Sequence, residues 1–333
     1  MNYFIVFKID KNKTKVKQNM VSAGELFQKA CNLIYLLFQM AIIWPWSMIK
    51  YFLPKNKKDI SGEILFMSGA GSGIGRLMSI KFAELGAIVI CTDLNAETAE
   101  QTANTIKSNG GKAYSYQLDV TDRLKVYALA EQIKREVGDV TMLINNAGIV
   151  TGKKILDAPD QLMVKTMEVN TISHFWTLKA FLPSMLEKNH GHIVTVSSIA
   201  GHSGAPAMVD YCASKFGAVG IHESLTVELI GIPDNKIQTS CVCPFFIKTG
   251  MFDGVSSGSP ILLPLLEVDF TVESIVCGVL NDEETIYVPR MLLPLMILKN
   301  LAPSALMKPL SDYLKLHTQM NDFKGRKEGK KAK

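Results

Sequence analysis

The chain has 333 residues, of which 47% are hydrophobic and 20% are charged. This composition is enough to bury a full core, and it excludes an intrinsically disordered protein. The formal net charge is only +5, and basic runs at 8–17, 55–58 and 325–333 carry much of the excess. A nucleic-acid groove is therefore not expected, whereas these flanks could contact anionic lipid head groups.

The amino-terminal part contains the longest apolar run, at residues 31–53, after a basic extension at 1–30. About 20 apolar residues are needed to cross a bilayer, so the run predicts a membrane anchor at 31–54. A buried core helix is the alternative. A signal peptide is disfavoured, because the run begins late and no small-x-small cleavage site follows it.

Aromatic residues mark one end of this run. Trp44, Trp46 and Tyr51 crowd together there, and such rings favour the membrane interface. Pro45 is expected to break a helix at this point. A hairpin or a helix lying in the interface is therefore as compatible with the sequence as a span. Lysines flank both sides, so the charges predict no orientation.

From residue 62 onward, short apolar runs alternate with segments of helical period, and no linker divides 62–290. Apolar runs without strict alternation are typical of strands buried on both faces. The pattern predicts one α/β catalytic domain at 60–290, a Rossmann-type doubly wound fold with a seven-stranded parallel sheet. The predicted strands are 63–68, 87–93, 113–120, 140–146, 192–198, 236–243 and 285–289, and the predicted helices are 74–86, 96–109, 122–137, 159–188, 209–230 and 271–281.

The end of the chain has two further features. A segment rich in Gly, Ser and Pro at 251–268 predicts a mobile lid. The apolar run 290–307 lies within predicted carboxy-terminal helices at 291–320, and it could be a core helix, a dimer surface or a second membrane contact. In the basic tail at 321–333, the spacing of Lys330 and Lys331 is similar to the dilysine retrieval signal of the endoplasmic reticulum, although a solvated tail is the alternative.

The six cysteines are scattered and include no Cys-x-x-Cys pair. Cys241 and Cys243 lie in an apolar run typical of a strand. We predict reduced core cysteines in a domain that faces the cytosol. No cluster of Cys and His has zinc spacing, so no metal site is expected.

The first predicted strand leads into the glycine-rich stretch FMSGAGSGIGR at 66–76. A strand, a tight glycine turn and a helix place bare N–H groups and the positive helix end beside a pyrophosphate. The glycines allow the backbone and a cofactor to approach closely. A P-loop is excluded, because no Gly-Lys-Ser/Thr follows, and the Gly-x-Gly-x-x-Gly spacing is not met because residue 74 is Ile.

The second predicted strand ends in Asp93, 18 residues after Gly75. A carboxylate at this place can accept both ribose hydroxyls of NAD and would repel the additional phosphate of NADP. No Lys or Arg stands at 70–72 or 94–95. The sequence therefore favours NAD.

Ser198, Tyr211 and Lys215 form the clearest catalytic pattern, with spacings of 13 and 4 residues. Residues four apart in a helix share one face, so Tyr211 and Lys215 are expected to be neighbours. A phenol with a reference pKa of about 10 becomes a useful base when an ammonium stabilises its phenolate. Ser198, at the end of the fifth strand, can bind the same alcohol oxygen.

These residues, together with Asn-Asn-Ala-Gly at 145–148, resemble the short-chain dehydrogenase/reductase family over 62 to about 290. The resemblance implies a catalytic tetrad in which Asn170 joins Ser198, Tyr211 and Lys215 and holds a water that relays protons from Lys215. Lys215 is also expected to bind the nicotinamide ribose. The remaining cofactor-binding residues that the family pattern implies are Ser68, Gly69, Gly73, Ile74 and Gly75 in the turn, Asp93 and Asp119 on the adenosine side, Asn146 in the cofactor wall, and Thr249 at the carboxamide.

The sequence departs from the family pattern at two positions. Ser68 replaces the usual Thr and keeps the hydroxyl, whereas Phe245 follows Pro244 where Gly is more common. Phe245 and Phe246 are therefore expected to wall an apolar substrate.

The apolar amino-terminal run and Cys-Pro-Phe-Phe-Ile-Lys-Thr-Gly-Met-Phe at 243–252 are similar to one branch of this family. That branch contains epidermal retinol dehydrogenases and lipid-droplet 17-beta-hydroxysteroid dehydrogenases. The resemblance implies oxidation of a lipophilic alcohol, with all-trans-retinol first and a steroid as the alternative. It also implies a homodimer at the endoplasmic reticulum membrane or lipid droplet, with the catalytic domain facing the cytosol. A lipid-droplet structural protein without turnover is the competing class.

Overall fold

The computed structural model describes residues 4–8, 17–21, 23–53, 57–260 and 263–325. The chain forms two compact units, Met1–Asn56 and Lys57–Lys333. The proposed dilysine signal at Lys330 and Lys331 lies outside the described residues.

The amino-terminal unit contains a two-stranded antiparallel hairpin and one long helix. Strand β1 (Phe4–Lys8) pairs with β2 (Lys17–Val21), and helix α1 (Ala23–Phe52) follows. The stretch Gly24–Tyr51 is long and apolar enough to cross a membrane, and none of its most apolar part is buried. The alternative of a buried core helix is therefore not supported by the described residues.

Pro45 lies inside α1, which contradicts the expectation that this residue breaks the helix. A proline removes one N–H donor from the helical ladder, but 30 residues supply hydrogen bonds on both sides of that gap. Apolar surroundings also favour a continuous helix, because an unpaired backbone group is costly there. The structure shows one continuous helix and no hairpin at Pro45.

The second unit is built on a seven-stranded parallel sheet with the order β5-β4-β3-β6-β7-β8-β9. All seven predicted strands are confirmed, with shifts of a few residues at their ends. The order reverses between β3 and β6, so the carboxyl ends of these two strands flank the crevice where such folds bind ligands. The strands are β3 (Ile64–Ser68), β4 (Ile88–Asp93), β5 (Lys112–Gln117), β6 (Met142–Asn145), β7 (His192–Val196), β8 (Gln238–Pro244) and β9 (Thr285–Val288).

Helices cover both faces of this sheet. They are α2 (Gly73–Glu84), α3 (Ala96–Ser108), α4 (Arg123–Glu136), α5 (Asp160–Met167), α6 (Ser173–Lys188), α7 (Val209–Ile230) and α8 (Val268–Leu280). Successive side chains of β3 point to opposite faces, so Leu65 and Met67 join one apolar core whereas Phe66 joins the other. Helices α2, α3 and α8 pack in the first core, and α4 and α6 pack in the second.

The long helical segment predicted at 159–188 is not one regular helix. Between α5 and α6 the backbone forms a π-helix over Glu168–Ile172. One wider turn rotates the side chains that follow it, and such insertions recur at functional sites. The apolar periodicity on both sides is helical, and for this reason the sequence did not reveal the interruption.

The lid segment and the carboxy-terminal helices pack against the rest of the second unit. After a short 3-10 helix at Gly250–Phe252, the lid segment buries Val255, Leu263 and Leu266. Its predicted mobility stays a prediction. Helices α9 (Leu292–Leu301) and α10 (Met307–Tyr313) follow β9. One side of α9 is buried in the core while Leu298 and Leu301 are exposed, so the run 290–307 contributes both to the core and to the surface.

Candidate active site

In the glycine turn between β3 and α2, segments of the backbone lie very close together. Gly69 and Gly73 have φ of 68° and 56°, in the left-handed region that favours glycine. A Cβ at Gly75 would lie 2.1 Å from the carbonyl oxygen of Gly69 and 2.5 Å from Nδ2 of Asn146. A side chain at this position would therefore force the turn apart.

The amino end of α2 is suited to an anion. Ser72 precedes the helix and makes no side-chain capping hydrogen bond, so the first N–H groups of α2 are not satisfied by the cap. These groups and the positive end of the helix dipole favour a phosphate. The structure thus places Gly69, Gly73, Ile74 and Gly75 in a cradle that fits a dinucleotide pyrophosphate.

Asp93 ends β4 directly beside this turn. Its Oδ2 accepts a hydrogen bond of 2.9 Å from the N–H of Gly71, and its Oδ1 accepts one of 3.0 Å from the N–H of Asn95. Leu94 is exposed next to it. The carboxylate is thus fixed by backbone donors at the position that sequence analysis assigned to the adenosine ribose.

Ser68 joins the glycine turn to the loop that follows β6. Its Oγ accepts hydrogen bonds from the N–H groups of Asn146 (2.9 Å) and Ala147 (3.0 Å). In return, Nδ2 of Asn146 donates to the carbonyl oxygens of Ser68 (2.9 Å) and Gly69 (3.2 Å). The Ser that replaces the usual Thr therefore performs its role through the hydroxyl alone.

Asp119 lies after β5 and is held by its neighbours. Its Oδ1 accepts hydrogen bonds from the N–H and Oγ1 of Thr121, and Lys165 Nζ lies 3.5 Å from its Oδ2. Burial acts to raise the pKa of Asp119, but the Thr121 hydrogen bonds and the Lys165 charge together lower it below its usual value. Asp119 is thus a charged acceptor close to the end of β4, because the N–H of the neighbouring Leu118 donates to the carbonyl oxygen of Asp93.

Ser198 and Tyr211 lie at the carboxyl end of β7 and in the first turn of α7. Ser198 Oγ donates to the carbonyl oxygen of Pro244 (3.3 Å) and accepts from the N–H of Ala200 (3.1 Å). Tyr211 is only 4% exposed, and the ring of Phe252 meets it edge-on with centroids 5.9 Å apart. Both hydroxyl groups are therefore presented by rigid elements.

Lys215 lies one turn after Tyr211 and is also 4% exposed. Its Nζ lies 5.7 Å from the centre of the Tyr211 ring and donates to the carbonyl oxygen of Val196 at 2.9 Å. Burial lowers the pKa of Lys215 to about 8. Burial raises the pKa of Tyr211, although a hydrogen bond with Ser198 opposes this shift. Additional positive charge near the phenol would favour its deprotonation.

Asn170 is fully buried in the π-helix and is satisfied by protein groups. Its Oδ1 accepts from the N–H of Ile149 (2.8 Å), and its Nδ2 donates to the carbonyl oxygen of Ile149 and to Ser214 Oγ, both at 2.9 Å. A Cβ at Gly148 would lie 3.4 Å from Asn170 Oδ1 and 3.6 Å from Lys215 Nζ. The structure thus brings Asn170 beside Lys215, as the four-residue pattern requires.

Thr249 follows β8 and lies near the glycine turn. A Cβ at Gly73 would lie 4.0 Å from Cγ2 of Thr249. The structure therefore places the candidate carboxamide contact across from the glycine turn. Ser198 and Tyr211 line a cavity that Thr249 does not line, although Phe246 and Phe252 line both this cavity and the pocket at Thr249.

This cavity is partly open to solvent, and its walls are mainly apolar. Phe245 and Phe246, which are predicted to wall an apolar substrate, lie in its wall. The contribution of the carboxy-terminal segment was not predicted, although the apolar run at 290–307 was an available signal. The lining residues from this segment are Leu292, Leu295, Met296, Lys299, Leu310, Leu314, Leu316 and Gln319.

Comparison with known proteins decides the family. Residues 63–259 match the family model of short chain dehydrogenases. The chain is also 46% identical to human (Homo sapiens) epidermal retinol dehydrogenase 2 over 283 residues, which cover 85% of this chain and 92% of that protein. The chain belongs to the short-chain dehydrogenase/reductase family.

Two further similarities agree with this assignment. Human 17-beta-hydroxysteroid dehydrogenase 13 is 43% identical over 256 residues, covering 76% of this chain and 84% of that protein. The crystal structure of a short-chain dehydrogenase/reductase from Burkholderia phymatum in complex with NAD has a TM-score of 0.66 and 24% identity, covering 73% of this chain and 94% of the other. The second similarity shows the fold alone.

The predicted family and fold are confirmed, and so is the predicted branch with its epidermal retinol dehydrogenases and 17-beta-hydroxysteroid dehydrogenases. As a member of this family, the protein is an oxidoreductase that acts on CH–OH groups and uses a nicotinamide cofactor. The residues that surround the glycine turn fit that cofactor, because the cradle has no room for a side chain at Gly75 and offers uncapped N–H groups to its phosphates.

The burial of Lys215 predicts a pH-dependent stability. Its pKa is about 8 in the folded protein and 10.5 in an ordinary lysine, so the unfolded chain binds more protons between these values. The contribution of Lys215 to stability therefore rises with pH through this window, by up to about 3 kcal/mol. We expect the free energy of unfolding of the wild type, minus that of Lys215→Met, to increase from pH 8 to 10.5.

Denaturant unfolding of both detergent-solubilised proteins at several pH values would measure this difference. Buried thiols and phenols titrate in both proteins, and their contributions largely cancel in the comparison. A difference that stays constant or falls over this range would contradict the assigned shift.

Proposed function

We propose that the protein is a membrane-anchored, NAD-dependent dehydrogenase that oxidises a lipophilic alcohol, with all-trans-retinol to retinal as the leading reaction. The observation that carries this proposal is that Ser198 and Tyr211 line a cavity whose other walls are mainly apolar. A lipid alcohol can place its hydroxyl beside these two groups while its hydrocarbon part stays out of water. The alternative substrate is a 17-beta-hydroxysteroid, which the name of a relative supports.

Tyr211 acts in this proposal as the base that removes the proton of the substrate hydroxyl. Ser198 donates a hydrogen bond to the same oxygen and holds it in place. The ammonium of Lys215 stabilises the phenolate, because it is buried near the ring and no carboxylate among the described residues pairs with it within 4.0 Å. Bound NAD supplies the hydride acceptor and a positive charge near the phenol.

Asn170 is proposed to act by positioning. Its side-chain amide already bonds to Ile149 and Ser214, so it fixes the loop after β6 against α7 beside Lys215. By the family resemblance, Asn170 would also hold the water that relays protons from Lys215. This relay and the binding of the nicotinamide ribose by Lys215 rest on the family resemblance.

The choice of NAD over NADP rests on Asp93. Two backbone N–H groups hold its carboxylate at the rim of the glycine turn, where it can accept the ribose hydroxyls. A second phosphate at this place would meet a negative charge without a compensating Lys or Arg at 70–72 or 94–95. Asp119, Asn146 and Thr249 complete the proposed cofactor site.

Membrane association is proposed from α1. This helix exposes a long apolar surface that is unsuited to water, and its Trp and Tyr residues suit a lipid interface. We place the protein at the endoplasmic reticulum membrane or a lipid droplet, with the catalytic unit in the cytosol. The six cysteines are all free thiols, which fits a reducing compartment. A homodimer is proposed from the family resemblance alone.

A structural protein of lipid droplets that has lost turnover is the competing class. Such a role would require neither Tyr211 nor Lys215, yet both are present, buried and adjacent. Production of NADH by membranes that contain the protein, with retinol or estradiol supplied in turn, discriminates between the two classes.

Tyr211→Phe removes the proposed base while the ring keeps its packing against Phe252. We expect kcat to fall by roughly 10²- to 10⁴-fold, with NADH binding measured by fluorescence nearly unchanged. Tyr313→Phe is the matched control, because Tyr313 is exposed on α10 and should retain full activity. Near-normal turnover in Tyr211→Phe would refute the assignment of the base.

Asp93→Ser removes the charge that opposes the additional phosphate of NADP. We expect the ratio of kcat/KM for NAD over NADP to fall by about tenfold or more, because one close charge contact is lost. Asp157→Ser, at an exposed carboxylate in another loop, should leave the ratio unchanged. A wild-type enzyme that already prefers NADP would overturn this part of the proposal.

Deletion of residues 1–54 should release the protein from membranes, because these residues contain the proposed anchor α1. The remaining catalytic unit, Lys57–Lys333, is compact by itself and is expected to fold. Carbonate extraction of membranes from expressing cells measures the release. Protease added to intact microsomes should digest the catalytic unit of the full chain. A truncated protein that resists extraction would move the anchor to another apolar surface, and a protected catalytic unit would reverse the proposed orientation.

A further inference from the structure

The apolar cavity contains two nitrogen donors that the proposed reaction does not use. They are the amide of Gln319 and the ammonium of Lys299. Both belong to the carboxy-terminal segment, whereas the reacting hydroxyl is assigned to Ser198 and Tyr211 on β7 and α7. No Asp or Glu is among the residues that line the cavity.

Gln319 is buried without a partner for its amide nitrogen. The residue is 3% exposed, and Nε2 has no hydrogen-bond acceptor within the described parts of the chain. Its backbone is fixed, because its carbonyl oxygen accepts a hydrogen bond of 3.1 Å from the N–H of Ser256. Buried polar groups are almost always hydrogen-bonded, and leaving one unpaired is costly. A hydrogen-bond acceptor on a bound ligand would remove this cost.

Lys299 adds a second nitrogen donor, which is charged and has one hydrogen-bond partner. Its Nζ donates to the carbonyl oxygen of His202 at 2.6 Å. An ammonium has three N–H donors, and no carboxylate in the described part of the chain lies within 4.0 Å of this one. The residues that line the cavity therefore include a positive charge that forms no ion pair with a described acidic side chain.

We propose that the preferred substrate is a lipophilic alcohol with a second oxygen group besides the hydroxyl that is oxidised. That group accepts a hydrogen bond from Gln319, and Lys299 favours an oxygen group with negative charge. The remaining lining of the cavity is mainly apolar and selects an apolar body. The inference rests on the proposed function and narrows its substrate class. It favours an oxygenated lipid alcohol, such as a 17-beta-hydroxysteroid, over all-trans-retinol, because the donors would oppose burial of a purely hydrocarbon end.

Matched pairs of alcohols that differ in the second oxygen test this inference. The pairs are estradiol and its analogue without the phenolic hydroxyl, retinol and its ring-ketone derivative, and dodecanol and the omega-hydroxy acid of the same chain length. The full-length protein in microsomes or detergent is assayed for NADH formation. We expect kcat/KM to be roughly three- to tenfold higher for the member with the second oxygen in each pair.

The variants assign this preference to the two donors. Gln319→Leu should reduce the ratio of kcat/KM between the two members to near one for the two pairs with neutral oxygen groups. Gln319→Glu should reverse the preference for the ring ketone, because a carboxylate cannot donate a hydrogen bond. Lys299→Met should remove the preference for the hydroxy acid. Gln238→Leu and Lys308→Met, at exposed positions away from the cavity, should retain every preference.

Three results would overturn the inference. If the wild type has nearly the same kcat/KM for both members of every pair, the inference fails while the proposed function stays intact. Equal losses for both members of a pair in Gln319→Leu, together with a lower thermal midpoint, would show a structural role for the amide. Absence of turnover with every alcohol would overturn the proposed function and this inference with it.

Discussion

The hydrogen bonds that join Ser68 to Asn146 are the constraint on which the candidate site depends. They tie the end of β3 to the loop after β6, across the place where the strand order reverses. The glycine turn and the loop that carries Gly148 therefore have a fixed separation. Through Ile149 the same loop bonds to Asn170, which in turn bonds to Ser214 on α7 beside Lys215. One hydrogen-bonded path thus links the cofactor cradle to the catalytic helix.

The burial of Tyr211 and Lys215 sets the conditions of the proposed chemistry. Desolvation opposes charge on both groups, since it raises the pKa of Tyr211 and lowers that of Lys215. The phenol is therefore not ionised merely because a lysine is near. In the proposed mechanism, removal of the phenol proton would become favourable when further positive charge is present, and a bound oxidised nicotinamide would supply that charge. This arrangement would link formation of the base to occupancy of the cofactor site.

Sequence patterns predicted the parts of the fold that repeat or that obey a simple spacing. Seven buried strands follow from continuous apolar runs, and the neighbouring positions of Tyr211 and Lys215 follow from one helical turn. The π-helix around Asn170 did not, because its extra residue leaves the apolar period on either side unchanged. Pro45 was wrongly expected to end α1, since its local effect is small beside the remaining hydrogen bonds of the helix. Gln319 could not be recognised, because its lack of a partner is a property of packing between distant segments.

The motifs of the family and much of the wall of the apolar cavity lie in different parts of the chain. The family match covers residues 63–259, which contain the glycine turn, Asp93, Asn170, Ser198, Tyr211 and Lys215. Much of the cavity wall lies beyond it, between Leu263 and Gln319. The motifs that identify the family therefore leave a large part of this wall undetermined. In the proposed function, substrate preference would depend both on Phe245 and Phe246 and on the side chains that α9, α10 and the segment after them add to the lining.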